Sequence, residues 1–161
     1  MNNLERRQKI EEFGNAYYAL CDSLREYPRE MWDYRPDKDT WSIHEILVHL
    51  ADSEVSGYVR YRKAIAETGS AIIAYNQEAW ATELSYLTQN PNDAVELFRW
   101  LRVMSYSLLR AMPEDVFENT INHPEHGIMT LDDLVVSYVV HVENHLGQMR
   151  RVYEAWQKYK S

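Results

Sequence analysis

Six histidines carry most of the chemistry this chain could perform, and their spacing sorts them. His141 and His145 stand four residues apart, so on a helix their imidazoles project from one side, one turn from each other. Neutral imidazole is a good ligand for zinc, nickel or iron, and an HxxxH pair can reach a single ion. At about 100° per residue, Leu131, Leu134, Tyr138, His141, His145, Met149, Val152 and Trp156 share an arc of roughly 80°. That arc is a core face, interrupted only by the two histidines and the nearby Gln148. The alternative is a pair of core histidines hydrogen-bonded to nearby hydroxyls or carbonyls. Burying both without partners is costly, and a shared cation removes that cost.

An open metal site needs a third protein ligand. His44 and His49 form HExxxH, one residue longer than the zinc-protease motif HExxH; the five-residue step turns the second ring by about 140°, so the two do not serve one ion. His44 lies in a first helical turn and is expected at the surface. His49 sits about 60° beyond Ile46, at the margin of its helix's apolar arc, where spacing alone does not select it. His123 and His126 fall in a connector and read equally well as solvated turn residues. Other chemistries lack their residues. No histidine follows a glutamate by three positions, as di-iron bundles require. Nucleophile-elbow, Walker and dinucleotide-binding motifs are absent. Ligands at i and i+4 cannot take opposite faces of one haem. Cys21, beside an apolar stripe, reads as a small core residue.

The elements that must position these groups are helices, because 161 residues contain only 5 Gly and 5 Pro. The first runs from about Asn3 to Leu24 with the stripe Ile10, Phe13, Tyr17, Leu20 and Leu24. The second opens on a capping box, Ser42-Ile43-His44-Glu45, and continues to about Thr68, where Gly69 ends it. A connector from Ser70 to Asn90 holds a short helix near Gln77 to Leu84. Pro91-Asn92-Asp93 starts the third long helix, striped by Val95, Phe98, Leu101, Ser105, Leu108 and Met112 and closed by Pro113. A second connector, Phe117 to Met129, contains a turn, and the last helix begins after Thr130, its N-cap with Asp133 three residues on, and runs to about Lys158. One apolar stripe per helix predicts an all-α four-helix bundle, one domain over residues 1–161, with a long crossover connection between helices two and three.

The charge balance, 17 Lys+Arg against 25 Asp+Glu, repels phosphate backbones and anionic lipid, so neither nucleic acid nor membrane is an expected partner. The most apolar stretch, Leu134 to Val142, falls far short of the roughly 20 residues that span a bilayer. The opening run MNNLERRQKIEE has no apolar core of a secretory leader, and a single cysteine suits a reducing compartment; a cytoplasmic location is expected.

Four segments taken in order resemble the DinB/YfiT-like superfamily: Trp41-Ser42-Ile43 with Val48-His49-Leu50-Ala51-Asp52-Ser53-Glu54; Tyr75-Asn76-Gln77-Glu78-Ala79-Trp80-Ala81; His123-Pro124-Glu125-His126-Gly127; and His141-Val142-Glu143-Asn144-His145-Leu146-Gly147-Gln148. The likeness extends from about Tyr27 to Trp156. It implies a four-helix bundle that binds one divalent ion, commonly zinc or nickel, through His49, His141 and His145. Family members include transferases that join low-molecular-weight thiols to small electrophiles, an isomerase with a thiol cofactor, and proteins labelled metal-dependent hydrolases by inference. One departure is Ala74-Tyr75-Asn76, where the family often has Pro-Tyr-Asp, and an N-terminal extension of the nearer relatives is expected to be lacking.

Three neutral ligands would leave the full charge of the ion at its open position, lowering the pKa of a water or a thiol there. The preferred reading is a thiol S-transferase with a small-molecule electrophile and a thiol as partners. A metal-dependent hydrolase and a non-catalytic metal- or small-molecule-binding bundle are the alternatives. Gln148, within about 20° of His141, is a candidate to orient a ligand or substrate, and Asp52, one turn beyond His49, to support the ligands from behind. Glu54 falls inside an apolar arc and needs a partner. Bundles of this kind often dimerise, so a homodimer is the expected assembly, although no stripe in the sequence marks its surface.

Overall fold

Asn2, Ser42 and Thr130 each stand three residues before an acidic one, and each closes a reciprocal capping box with it, to Glu5, Glu45 and Asp133. In the computed structural model, which describes residues 1–161, these caps open three of four long helices: α1 (Asn3–Arg25), α2 (Ile43–Ala66) and α5 (Leu131–Lys160). The fourth, α4 (Pro91–Ala111), begins with Pro at its first position behind the Asn90 cap, where the missing N–H costs nothing. Between α2 and α4 lies the short helix α3 (Gln77–Glu83), capped by the Asn76 side chain on Ala79 N–H at 3.0 Å.

Helix α1 packs on α4 and α5, and α2 packs on the same two, so α1 and α2 occupy one diagonal of the bundle. The ends show its direction. Arg6 of α1 pairs with Asp132 of α5 at 2.7 Å, so these two helices start together. At the opposite end Glu30, just after α1, meets Lys160 of α5, and the His44 ring reaches the carbonyl of Gln89, just before α4. Helices α2 and α4 therefore run parallel to each other and antiparallel to α1 and α5. The chain from Glu67 to Asn90 must cross the length of the bundle, which is the expected crossover.

Three short strands close the end where α2 and α4 finish. β1 (Ser70–Ala71) pairs parallel to β2 (Thr120–His123), which pairs antiparallel to β3 (Gly127–Thr130), with Ile121 opposite Met129 and His123 opposite Gly127. The second connector, expected to contain a turn, is thus largely a hairpin, and β1 of the first connector joins its edge. Gly127, at φ +71°, supplies the left-handed residue that its tight turn needs. The chain contains no helix long and apolar enough to cross a membrane.

Two expectations about burial are corrected. The buried face of α4 carries Phe98, Arg102, Ser105 and Leu109, whereas Leu101 and Leu108 are half-buried. The face includes Arg102, which pairs with Glu54 of α2 inside the core. His44, expected at the surface, is buried: α2 is enclosed on all sides from Ser42 to Leu50. The loop after α1 and the turn before α4 cover it, and the His44 ring bonds Asp33 at 2.8 Å and the Gln89 carbonyl at 2.7 Å.

A close approach of α2 to α5 fixes the region that matters for chemistry. Gly57 leaves room for the Tyr138 ring, where a β-carbon would stand 2.6 Å from the ring. Tyr138 then donates its phenol proton to the Ser53 carbonyl at 3.3 Å.

Candidate metal centre

His141 and His145 project from the middle of α5 toward α2, and His49 answers from the enclosed half of α2. The three imidazoles converge through their Nε2 atoms: His49 to His141 at 3.1 Å and His145 to His141 at 3.2 Å. His49 is 1% exposed and the other two are half-buried. The structure thus brings together the pair picked out by helical spacing and the residue supplied by the resemblance.

Proton positions make this convergence informative. His145 Nδ1 bonds Gln148 Oε1 at 2.9 Å, so the ring proton sits on Nδ1 and the inward Nε2 presents a lone pair. His49 Nδ1 is buried with no partner. Burial pushes His49 down to about 3, aided by the charge His145 would carry. Burial likewise holds His141 at about 2, with His145, His49, Arg102 and Arg60 adding to the effect. His145 is lowered by burial against an opposing contribution from Gln148. All three rings are therefore neutral at pH 7, the state a metal ligand requires. Bonds of about 2.0–2.1 Å to a tetrahedral ion place two nitrogens roughly 3.3 Å apart, close to the spacings here. By donor type, protonation and distance, the cluster fits a divalent cation.

The surroundings hold these rings in place. Trp41 lies 4.8 Å from His49 between ring centroids and is parallel to His145 within 5° at 6.4 Å. Gln148, a candidate from the sequence, fixes the tautomer and rotation of His145. Asp52 is placed differently. Its carboxylate accepts the Tyr86 phenol at 2.5 Å and makes no hydrogen bond to any of the three imidazoles. Burial raises its pKa while Tyr86 opposes that shift. Glu54 finds the partner it needed in Arg102, Nε to Oε2 at 2.8 Å, both residues 1% exposed. Arg102 also donates to the Tyr138 carbonyl on α5 at 3.1 Å and the Phe13 carbonyl on α1 at 3.3 Å. The pair therefore ties α1, α2, α4 and α5 together beside the histidines.

A cleft of about 610 Å³ opens along the His141 side, walled by Ser53, Arg60, Tyr75, His123, Ser137 and Tyr138, among others. His123 is a correction to the turn-residue expectation: it ends β2 and is buried, while His126 beside it is exposed. Neither Arg60 nor Tyr138 was singled out by sequence reasoning. Tyr138 was counted as part of the core stripe, and the position of Arg60 in this cleft depends on a hairpin that arrives from the far end of the chain.

Known proteins resemble this chain in sequence and in fold. The family model described as the DinB superfamily matches residues 10–149. Among curated relatives, YfiT of Bacillus subtilis, a candidate metal-dependent hydrolase, is 28% identical over 110 residues, 68% of this chain and 62% of its own length. A candidate metal-dependent hydrolase of Oceanobacillus iheyensis is 26% identical over 92% of this chain and 86% of its own. The solved structure of B. subtilis YfiT, described as an unusual four-helix bundle, superposes with a TM-score of 0.89 at 22% identity over 98% of this chain and 90% of its own. A variant of mycothiol-dependent maleylpyruvate isomerase superposes with a TM-score of 0.69 at 14% identity, over 92% of this chain and 61% of its own. At these identities the structural likenesses establish the fold.

Proposed function

The chain belongs to the DinB superfamily, and from that premise we propose that it is a divalent-metal-dependent S-transferase. In this reading it joins a low-molecular-weight thiol to a small electrophile, with His49, His141 and His145 holding zinc or nickel. A divalent cation held by three uncharged imidazoles keeps its double charge, which favours thiolate over thiol near neutral pH.

The observation that carries this reading is a three-imidazole cluster with no carboxylate in contact. Water attack is commonly assisted by a nearby base, yet Asp52 is engaged by Tyr86 and Glu54 is locked to Arg102. Gln148, the side chain bonded to the cluster, does not titrate. A thiol needs only to lose its proton, so the missing base counts less against thiol transfer than against hydrolysis. The Arg60 charge bears on His141 and favours an anionic nucleophile beside it.

Each residue has a part in this scheme. Gln148 holds His145 with its lone pair inward, Trp41 covers the inner rings, and the Glu54–Arg102 pair fixes the helices that carry the ligands. The sulfur forms its bond to the electrophilic carbon, the leaving group departs with the bonding electron pair, and the thiol proton passes to solvent through the cleft.

A metal-dependent hydrolase is the second reading, supported by the names of the B. subtilis and O. iheyensis relatives and by a cleft that admits water. An electrophilic dye offered with several cellular thiols, beside a panel of esters and amides, separates the two. The transferase reading expects dye conjugation that requires thiol and metal and is lost in His141→Ala. Metal-dependent turnover of an ester or amide without thiol would replace it with the hydrolase.

A further inference from the structure

The cleft beside His141 contains two hydrogen-bond donors that make no contact with the imidazole cluster. Arg60, on α2, has its Nη1 anchored by the Tyr138 hydroxyl at 3.2 Å and forms no ion pair with any carboxylate. The anchored guanidinium keeps its remaining N–H groups free, in the planar fork that suits a carboxylate. Across the cleft, His123 accepts two backbone N–H groups on its Nδ1, from Glu125 at 3.2 Å and His126 at 3.4 Å. Those bonds place the ring proton on Nε2, making His123 a donor there.

This tautomer argues against a second metal site. His123, Glu125 and His126 have potential ligand atoms within 4.8 Å of one another. Yet Nδ1 is occupied by the turn it organises, and Nε2 carries a proton instead of a lone pair. Glu125 and His126 are exposed at the rim. The cleft therefore presents one free cationic fork and one neutral N–H donor on its walls, with the three-imidazole cluster at its edge through His141.

We infer that this cleft binds the carboxylate of a small-molecule substrate, with Arg60 as its anchor and His123 as a second donor. Taking that molecule to be the thiol rests on the proposed transferase, and it makes Arg60 a specificity-determining residue that selects acidic over neutral thiols. Tyr138 acts through Arg60 as a positioning residue, since its hydroxyl holds Nη1 while donating its own proton to Ser53.

Two measurements test this separately from turnover. Calorimetry with N-acetylalanine, which has no thiol, and with its uncharged amide measures carboxylate recognition directly. The acid should bind the wild type about 10- to 100-fold more tightly than the amide, the range of a charge-assisted hydrogen-bonded contact. Arg60→Gln should erase that preference, Arg60→Lys should keep part of it, and His141→Ala should keep it, which separates Arg60 from any cation at the imidazoles. Equal binding of acid and amide by the wild type, or an acid preference that survives Arg60→Gln with an unchanged unfolding midpoint, overturns the inference. Steady-state kinetics with N-acetylcysteine and N-acetylcysteamine then ask whether the molecule is the thiol. Arg60→Gln should raise KM for the acidic thiol by a similar factor while KM for the neutral thiol stays unchanged, and any fall in kcat should be shared equally by the two thiols. Turnover without thiol, or none, removes the transferase reading, while the calorimetric result still decides carboxylate binding.

Discussion

His141 and His145 lie one turn apart on a helix and face a third ring on its neighbour; His123 and His126 lie three apart across a hairpin turn and face each other. Ring centroids are 4.6 Å apart in both pairs, so proximity does not separate them. In the bundle, three Nε2 atoms converge on rings that burial keeps neutral, and Gln148 turns the His145 lone pair inward. In the hairpin, the buried ring spends its lone pair on two backbone N–H groups and its neighbour is solvated. Ligand capacity thus depends on what the other nitrogen of each ring is doing, and only the bundle cluster brings three ring nitrogens to a common point.

The largest expected effect breaks this comparison at its root. His141→Ala or His145→Ala should abolish divalent-ion binding, whereas His126→Ala should leave stoichiometry unchanged, both read by metal analysis of dialysed, untagged protein. Stability provides the next test, because the Glu54–Arg102 ion pair is internal to the protein whereas the imidazole cluster gains from an added cation. Glu54→Ala strands a buried guanidinium and should cost about 3–5 kcal/mol in denaturant unfolding. Adding nickel at a hundred times its Kd should raise wild-type stability by about 2.7 kcal/mol, with no such gain in His141→Ala.

Acid should act on the bundle cluster with a defined sign. His49 and His141 are held at about 3 and about 2, below the ordinary value of 6.5, so below pH 6.5 the unfolded chain binds protons that the folded one refuses. Cation-free protein should therefore lose stability as pH falls from 6.5 toward 3, by up to about 1.4 kcal/mol per pH unit for each such ring. His141→Ala should flatten that slope, and a slope unchanged by the substitution would mean that the rings are not held neutral. A smaller effect belongs to Gln148→Ala, which should weaken metal affinity about 10- to 100-fold without changing stoichiometry. Tyr86→Phe, which strips Asp52 of its partner away from the cluster, should leave metal affinity unchanged within error in the same titration.

What the sequence made legible follows from how local each signal was. The HxxxH pair and the capping boxes at Ser42 and Thr130 are set by neighbours within one turn, and the structure retains them. His49 was visible only through resemblance because α2 is enclosed from Ser42 to Leu50, and a helix buried on every side has no stripe to read. The same enclosure buried His44, whose partners Asp33 and Gln89 come from separate loops. Arg102 was missed because a cation on a core face is explained only by Glu54, 48 positions earlier. Strands of two and four residues offer too few alternations to reveal a period, and the parallel pairing of Ser70 with Ile121 joins distant parts of the chain. The cleft walls, including Arg60 and His123, depend on that pairing and were invisible for the same reason.

The central claim is one cation site per chain, at His49, His141 and His145. Its most direct test is calorimetric titration of untagged, chelator-stripped protein with zinc and with nickel. One site per chain, eliminated by His141→Ala and intact in His126→Ala, is the predicted result. Binding below about a tenth of an equivalent, or binding that disappears with His126 and survives the loss of His141, would contradict it.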